Sequence, residues 1–203
     1  GDVAGRAGQG VTRPRAVARR GGNKTGTHMH DDIKKRIRTI PHWPRKGVMF
    51  RDITTLINDA GGLRASCDRL HDHYRHMQID AIAGIESRGF TFGCVLAYLM
   101  NKGFVLLRKP GKLPAKTVSQ EYKLEYGTDS IEMHEDAIRP GDRVLIVDDL
   151  LATGGTMRAA CTLVEKLGGK VVGCAFVVEL PELGGRKALA GYDVFSLVEF
   201  EGE

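Results

Sequence analysis

No stretch of this sequence stays apolar for the ~18 residues that a membrane helix needs, and no hydrophobic signal region opens it. The expectation is a cytoplasmic protein without a membrane partner. Cysteine is scarce and scattered: Cys67, Cys94, Cys161 and Cys174 form no CxxC pair and have no histidine at ligand spacing. A disulfide framework and a zinc module are both disfavoured, and four buried thiols in a reducing compartment are expected. Two nucleotide signatures are missing as well. No Lys-Ser or Lys-Thr follows a glycine-rich loop as in a Walker A sequence, and the GxGxxG spacing of a dinucleotide fold is absent.

The 203 residues carry a formal net charge of +5, which invites a nucleic-acid reading. The location of the charge argues against it. Residues 1 to 30 hold Arg6, Arg13, Arg15, Arg19, Arg20 and Lys24 against Asp2 alone; six cations against one acid is the whole +5, so residues 31 to 203 are formally neutral. Residues 1 to 28, rich in Gly, Arg and Thr and without apolar periodicity, are expected to be disordered. They read as an appended leader ahead of a start at Met29, or alternatively as a basic targeting segment. Residues 29 to 203 are expected to form one domain.

What the chain does have is the run from Val144 to Thr156. Val144-Leu145-Ile146-Val147 suits a strand buried on both faces of a parallel sheet. Asp148 and Asp149 follow, and since neighbouring residues leave a strand in different directions, at least one must sit at the sheet's carboxyl edge, where open α/β sheets bind ligands. Ala152-Thr153-Gly154-Gly155-Thr156 then leads into a helix patterned by Met157, Cys161, Leu163, Val164 and Leu167. Free N–H groups at that helix start, with close approach allowed by the glycines, favour a phosphate. Acids for vicinal hydroxyls beside a turn for phosphate describe a phosphorylated sugar site. The plainer reading is a strand–loop–helix corner capped by Thr156.

The same grammar occurs once more. Ala81 to Ile85 is a short apolar strand, Glu86-Ser87-Arg88-Gly89 a polar turn, and Phe90 to Met100 an apolar helix, which suggests a second anion site with Arg88 as a fork of donors. Further strands are predicted near residues 104, 173 and 195, giving an α/β fold with a parallel sheet flanked by helices. Residues 62 to 77 form an amphipathic helix with His73 and His76 as solvated surface. A helix-like segment is expected over Asp31 to Ile40, and an extended hinge after Pro41. Val48 to Ile53 is too mixed for a core strand, and Phe50 there is either packing or an aromatic face for a flat ligand. Arg108-Lys109-Pro110-Gly111-Lys112 suits a phosphate-facing turn or a subunit contact. Thr117 to Met133, turning at Gly127-Thr128-Asp129, is expected to be an exposed β-hairpin lid.

The run Val144 to Thr156, acids and turn included, resembles the phosphoribosyl-pyrophosphate motif of the type I phosphoribosyltransferases. Gly47 to Ile53, Ser87 to Phe90, Arg108 to Pro114 and Leu124 to Gly127 are similar, in order, to the adenine-specific branch of that family, over nearly all of residues 31 to 200. The resemblance implies Mg²⁺-dependent transfer of phosphoribose from 5-phosphoribosyl 1-pyrophosphate to adenine N9, yielding AMP and pyrophosphate. It implies that Ala152 to Thr156 hold the 5′-phosphate, Asp148 and Asp149 the ribose hydroxyls, and Glu86, Ser87 and Arg88 the pyrophosphate and its Mg²⁺, with a cis peptide between Glu86 and Ser87. Phe50 would stack on adenine opposite Leu180, while the main chain of Met49 and Arg51 reads the purine edge. Glu125, shielded by Leu124 and Tyr126, would take the N9 proton, with Glu121 as the decoy. The cationic turn implies a homodimer in which Arg108 or Lys112, beside Lys109, reaches the partner's pyrophosphate site. Two other readings remain at this stage: a sister enzyme for guanine, hypoxanthine or orotate, and a regulator that binds phosphoribosyl pyrophosphate without turnover.

Overall fold

The computed structural model describes residues 31–123 and 127–202. The basic segment of residues 1 to 28, and with it its expected disorder, lies outside them, as do Glu125 and Tyr126. Among the described residues a five-stranded, all-parallel sheet is built from β3 (Ala81–Ile85), β4 (Gly103–Leu107), β7 (Arg143–Leu151), β8 (Lys170–Glu179) and β9 (Val194–Glu199), in the order β4-β3-β7-β8-β9. The apolar run before the two acids is the centre of that sheet. Leu145 and Val147 enter a core with Leu70, Tyr74, Phe92 and Leu96, while Val144 and Ile146 point to the other face, against Cys161, Val164, Ile131 and Met133. Burial on both faces is what an uninterrupted β-branched run predicts. The helices α3 (Ala60–Tyr74) and α4 (Arg88–Leu99) cover one face and α5 (Gly155–Lys166) the other. No helix among the described residues is long and apolar enough to cross a membrane.

A separate two-stranded antiparallel unit precedes the sheet: β1 (Arg38–Pro41) pairs with β2 (Met49–Asp52), and the short α2 (Thr54–Asn58) follows it. The helix expected over Asp31 to Ile40 is therefore confined to α1 (Asp31–Lys34). The β-branched Thr39 and Ile40 and the restriction that Pro41 places on its predecessor favour extension instead. Arg38 donates to Asp52, and Thr54 N–H and Oγ1 donate to the other oxygen of the same carboxylate at 2.9 and 2.7 Å. Those partners, Thr54 first, hold the Asp52 pKa down to about 2.

The hairpin is present as β5 (Thr117–Lys123) and β6 (Thr128–His134), in register Thr117↔His134 to Lys123↔Thr128. Thr128 and Asp129 belong to the strand and not to the turn. Its inner residues Ile131 and Met133 are buried against α5, so the hairpin is exposed on one face only. The expectation of four buried thiols fails at Cys94, which points outward from α4, whereas Cys67, Cys161 and Cys174 are buried. His73 is exposed, and its ring stacks on Phe195 at 3.7 Å.

Candidate functional site

The carboxyl ends of β3, β4 and β7 converge on a cavity of about 330 Å³ lined by Glu86, Arg88, Lys109, Tyr122, Asp148 and Asp149, among others. The strand β7 runs three residues past Asp148 and keeps pairing with β8 through Leu151↔Glu179, so both acids are fixed by the sheet and not by a loop. Asp149 is 4% exposed and accepts from Arg88 Nε at 2.6 Å. Asp148 Oδ1 accepts the Asp149 N–H at 2.8 Å. Burial first, and then the neighbouring Asp149 charge, push the Asp148 carboxyl well above the ordinary carboxylate range. Arg88 reaches Asp149 because α4 starts hard against β7: a Cβ on Gly89 would stand 2.7 Å from the Val147 carbonyl oxygen.

A second hollow of about 80 Å³ adjoins the first, sharing Asp148, Leu150 and Thr156, with Ala152, Thr153, Gly154 and Gly155 along its wall. Here α5 begins. Its N-cap, Gly154, has φ +82 and no side-chain cap, and Arg158 N–H is the donor that returns to the Gly154 carbonyl, at 2.9 Å. The N–H groups of Gly155, Thr156 and Met157 precede that first bond, so they have no partner inside the helix and face the region where the macrodipole favours negative charge. All five residues expected to hold a phosphate are therefore grouped around one small hollow.

The other expected residues divide. The peptide between Glu86 and Ser87 is cis, and Arg88 and Lys109 line the larger cavity. Arg108 does not extend outward: its Nε donates to Glu86 within the same chain at 2.7 Å and its Nη1 to the Lys112 carbonyl at 3.2 Å, leaving the exposed Lys112 as the turn's outward cation. Lys109 Nζ donates to Tyr122 Oη at 2.7 Å and to Asp129. Although burial opposes it, those two partners keep the Lys109 pKa above its ordinary value. Phe50 packs edge-on against Trp43, centroids 4.3 Å apart, and lies with its ring centre 5.9 Å from the guanidinium of the cavity-lining Arg88. The Arg51 side chain is turned away, donating to Thr39 and the Gly202 carbonyl and lying over Phe200, which leaves its main chain as the group available to a ligand. Leu180 is 5% exposed and packs in the core cluster with Phe200; like Met49, Phe50 and Arg51, it lines neither hollow. Its N–H donates to the Leu151 carbonyl at 2.9 Å.

Tyr122 and Asp129 were not anticipated. Strand alternation places Tyr122 on the α5 side of the hairpin, but nothing local ties it to Lys109, thirteen residues earlier. As for a metal, no group of three or more His, Cys, Asp or Glu that could cage one is found among the described residues. The donors that line the cavity, Glu86, Asp148 and Asp149, are hard carboxylate oxygens. That set fits Mg²⁺, which takes one or two carboxylates and completes its shell with water and substrate phosphate oxygens.

Residues 57–202 match the phosphoribosyl transferase domain family. An adenine phosphoribosyltransferase of Chlorobium luteolum is 62% identical over 175 residues, which is 84% of this chain and 99% of that protein. The crystal structure of adenine phosphoribosyltransferase from Thermoanaerobacter pseudethanolicus superposes with a TM-score of 0.82 at 53% identity, covering 84% of this chain and 99% of the other. The Saccharomyces cerevisiae adenine phosphoribosyltransferase, solved with an imino-altritol bisphosphate and adenine, gives a TM-score of 0.79 at 37% identity over 84% of this chain and 98% of its own.

Proposed function

Since the chain belongs to the phosphoribosyl transferase domain family, in its adenine phosphoribosyltransferase branch, we propose that its sheet-edge cavity transfers phosphoribose from 5-phosphoribosyl 1-pyrophosphate to adenine N9, giving AMP and pyrophosphate. The observation that carries the residue assignments is the adjacency of the two hollows: a carboxylate pair in one and the free N–H groups of a helix start in the other, with Asp148 common to both. A sugar 5-phosphate needs both side by side.

Substitution at an anomeric carbon passes through an oxocarbenium-like state, so catalysis consists mainly of placing negative charge near the sugar and donors near the departing pyrophosphate. Asp148 and Asp149 take the ribose hydroxyls and lend the sugar their charge. The Ala152 to Thr156 backbone takes the 5′-phosphate. Arg88, Lys109 and the Glu86–Ser87 turn surround the pyrophosphate. Lys109 is held at the cavity wall by Tyr122 and Asp129 and so stays protonated. Mg²⁺ would be held mainly by substrate and water oxygens, within reach of the cavity carboxylates, and would neutralise the pyrophosphate charge. Phe50 offers its face to adenine and the main chain of Met49 and Arg51 its edge. Glu125, with Tyr126 beside it, accepts the N9 proton. A substrate panel tests the assignment: purified protein should form AMP from adenine, whereas preference for guanine, hypoxanthine or orotate, or binding without turnover, would reject it.

We also infer a homodimer. The outer face of α4 and the edge strand β4 expose Tyr98 (83%), Leu99 (40%) and Leu106 (39%), with Cys94 one turn before Tyr98. Apolar side chains grouped at a sheet edge suit a second copy, and Lys112 leaves the end of that same edge strand.

A further inference from the structure

The loop assigned to the 5′-phosphate rests on α6 (Gly185–Ala188). A Cβ on Gly154 would stand 2.8 Å from the Gly185 carbonyl oxygen and 3.1 Å from Ala188 Cβ, and a Cβ on Gly185 would stand 2.4 Å from the Ala152 carbonyl oxygen and 2.6 Å from Leu151 Cδ1. The two backbones therefore touch, with no side chain between them, and any shift of α6 is a shift of the loop. Yet α6 has four residues, too few to hold itself in place by its own hydrogen bonds.

The C-cap of α6, Leu189, is buried in the core, and the side chain that ties the helix to the sheet by hydrogen bonds is Arg186. Its Nε and Nη2 donate in parallel to Glu179 Oε1 and Oε2, both at 2.7 Å. Its Nη1 donates to the Val194 carbonyl at 3.0 Å and its Nη2 also to Ser196 Oγ at 3.3 Å, while Ser196 Oγ donates to Glu179 Oε2 at 2.6 Å. Glu179 is 3% exposed at the carboxyl end of β8, opposite Leu151 of β7 and Glu199 of β9. One guanidinium thus ties the short helix to two strands of the sheet, and two parallel bonds set orientation as well as distance. A lysine at this position would keep the charge and lose the fork. Neither Glu179 nor Arg186 lines the hollow of the carboxylate pair or that of the phosphate turn, so a role at the 5′-phosphate has to pass through α6.

We propose that Glu179 and Arg186 are positioning residues for the 5′-phosphate: their ion pair locks α6, and α6 sets the Ala152 to Gly155 backbone that receives the phosphate. This rests on the reading of that loop given above.

The test compares E179Q and R186K with the wild type in AMP formation, and measures binding of AMP and adenosine by calorimetry. Both variants leave a polar partner at the buried end and avoid the stranded carboxylate that R186A would create. The KM for phosphoribosyl pyrophosphate should rise about tenfold or more, as for a reacting group displaced by a fraction of an ångström, with the KM for adenine unchanged. AMP affinity should fall by a similar factor and adenosine affinity should not. A role confined to stability would lower the melting temperature without separating the two ligands. Folded variants that bind AMP as the wild type does, or that lose AMP and adenosine equally, overturn the proposal. Should neither variant fold, S196A keeps both charges and loosens the network, and the same AMP-against-adenosine split, smaller, is required of it. Absence of turnover in the wild type would instead refute the functional reading, independently of what the variants do.

Discussion

Replacing Gly154 by alanine separates two consequences of one methyl group. The first is backbone strain. Gly154 sits at φ +82, a region that costs a residue with a Cβ roughly 1–2 kcal/mol. The second is a collision, since the new Cβ would stand 2.8 Å from the Gly185 carbonyl oxygen, and both groups are backbone, with no flexible side chain to yield. The loop must move by a few tenths of an ångström; because a misplacement of ~1 Å can cost ~10²-fold in rate, a loss of about tenfold in kcat/KM for phosphoribosyl pyrophosphate is expected. Gly191 supplies the control, with φ +96 and nothing within 4 Å of its notional Cβ. G191A should show the strain alone, a fall in melting temperature of about 2–4 °C for each kcal/mol in a chain of this size, with unchanged kinetics. The assay is steady-state AMP formation with each substrate varied in turn, alongside thermal denaturation. A G154A protein that loses stability as G191A does but keeps wild-type kcat/KM would refute the assignment of this loop to the phosphate.

Three further outcomes are expected. E125Q should lower kcat at least about a hundredfold, within the range of general acid–base contributions, with little change in KM for phosphoribosyl pyrophosphate; E121Q should be mild, and the reverse ranking would move the base elsewhere. Because the Asp148 carboxyl lies above its ordinary value of 3.8, its contribution to stability is complete below 3.8 and declines as pH rises through the folded value. D148N should therefore hold or raise the melting temperature of the ligand-free protein at neutral pH but not near pH 4, and binding of the Mg²⁺–phosphoribosyl pyrophosphate complex should release a proton, visible as a dependence of the calorimetric heat on buffer ionisation enthalpy; no such dependence would count against an Asp148 that charges on binding. Sedimentation should show a dimer that Y98E converts to monomer, and a fully active wild-type monomer would exclude a shared site.

The sheet was legible because its strands are short apolar runs with polar ends, and the run Val144 to Val147 followed by two acids admits few placements. The loop at Ala152 to Thr156 was equally readable, since glycine, hydroxyl and helix start are all local features. What was hidden is non-local. Arg38 to Pro41 reads as the continuation of a helix until its partner Met49–Asp52 is known. Cys94 lies in an apolar helix, and the face of α4 that packs on the sheet, through Gly89, Phe92, Gly93, Leu96 and Ala97, leaves it outside. Arg108 looks outward by charge, but β6 bridges it at Glu132 and its side chain turns to Glu86. Glu179 and Arg186 carry no motif at all: seven residues apart, they are joined only by the folding of α6 onto the loop.

The central claim is that the carboxylate pair at the end of β7 and the hollow beside it carry the transfer of phosphoribose to adenine. Its most direct test is the rate of AMP formation by the D148N/D149N double variant. The amide oxygen introduced by D149N can still accept from the half-exposed Arg88, and the one introduced by D148N from the main-chain N–H that follows it, so circular dichroism and melting temperature should stay near wild type. Turnover should be nearly abolished. A folded double variant that retains most of its AMP-forming activity would contradict the account.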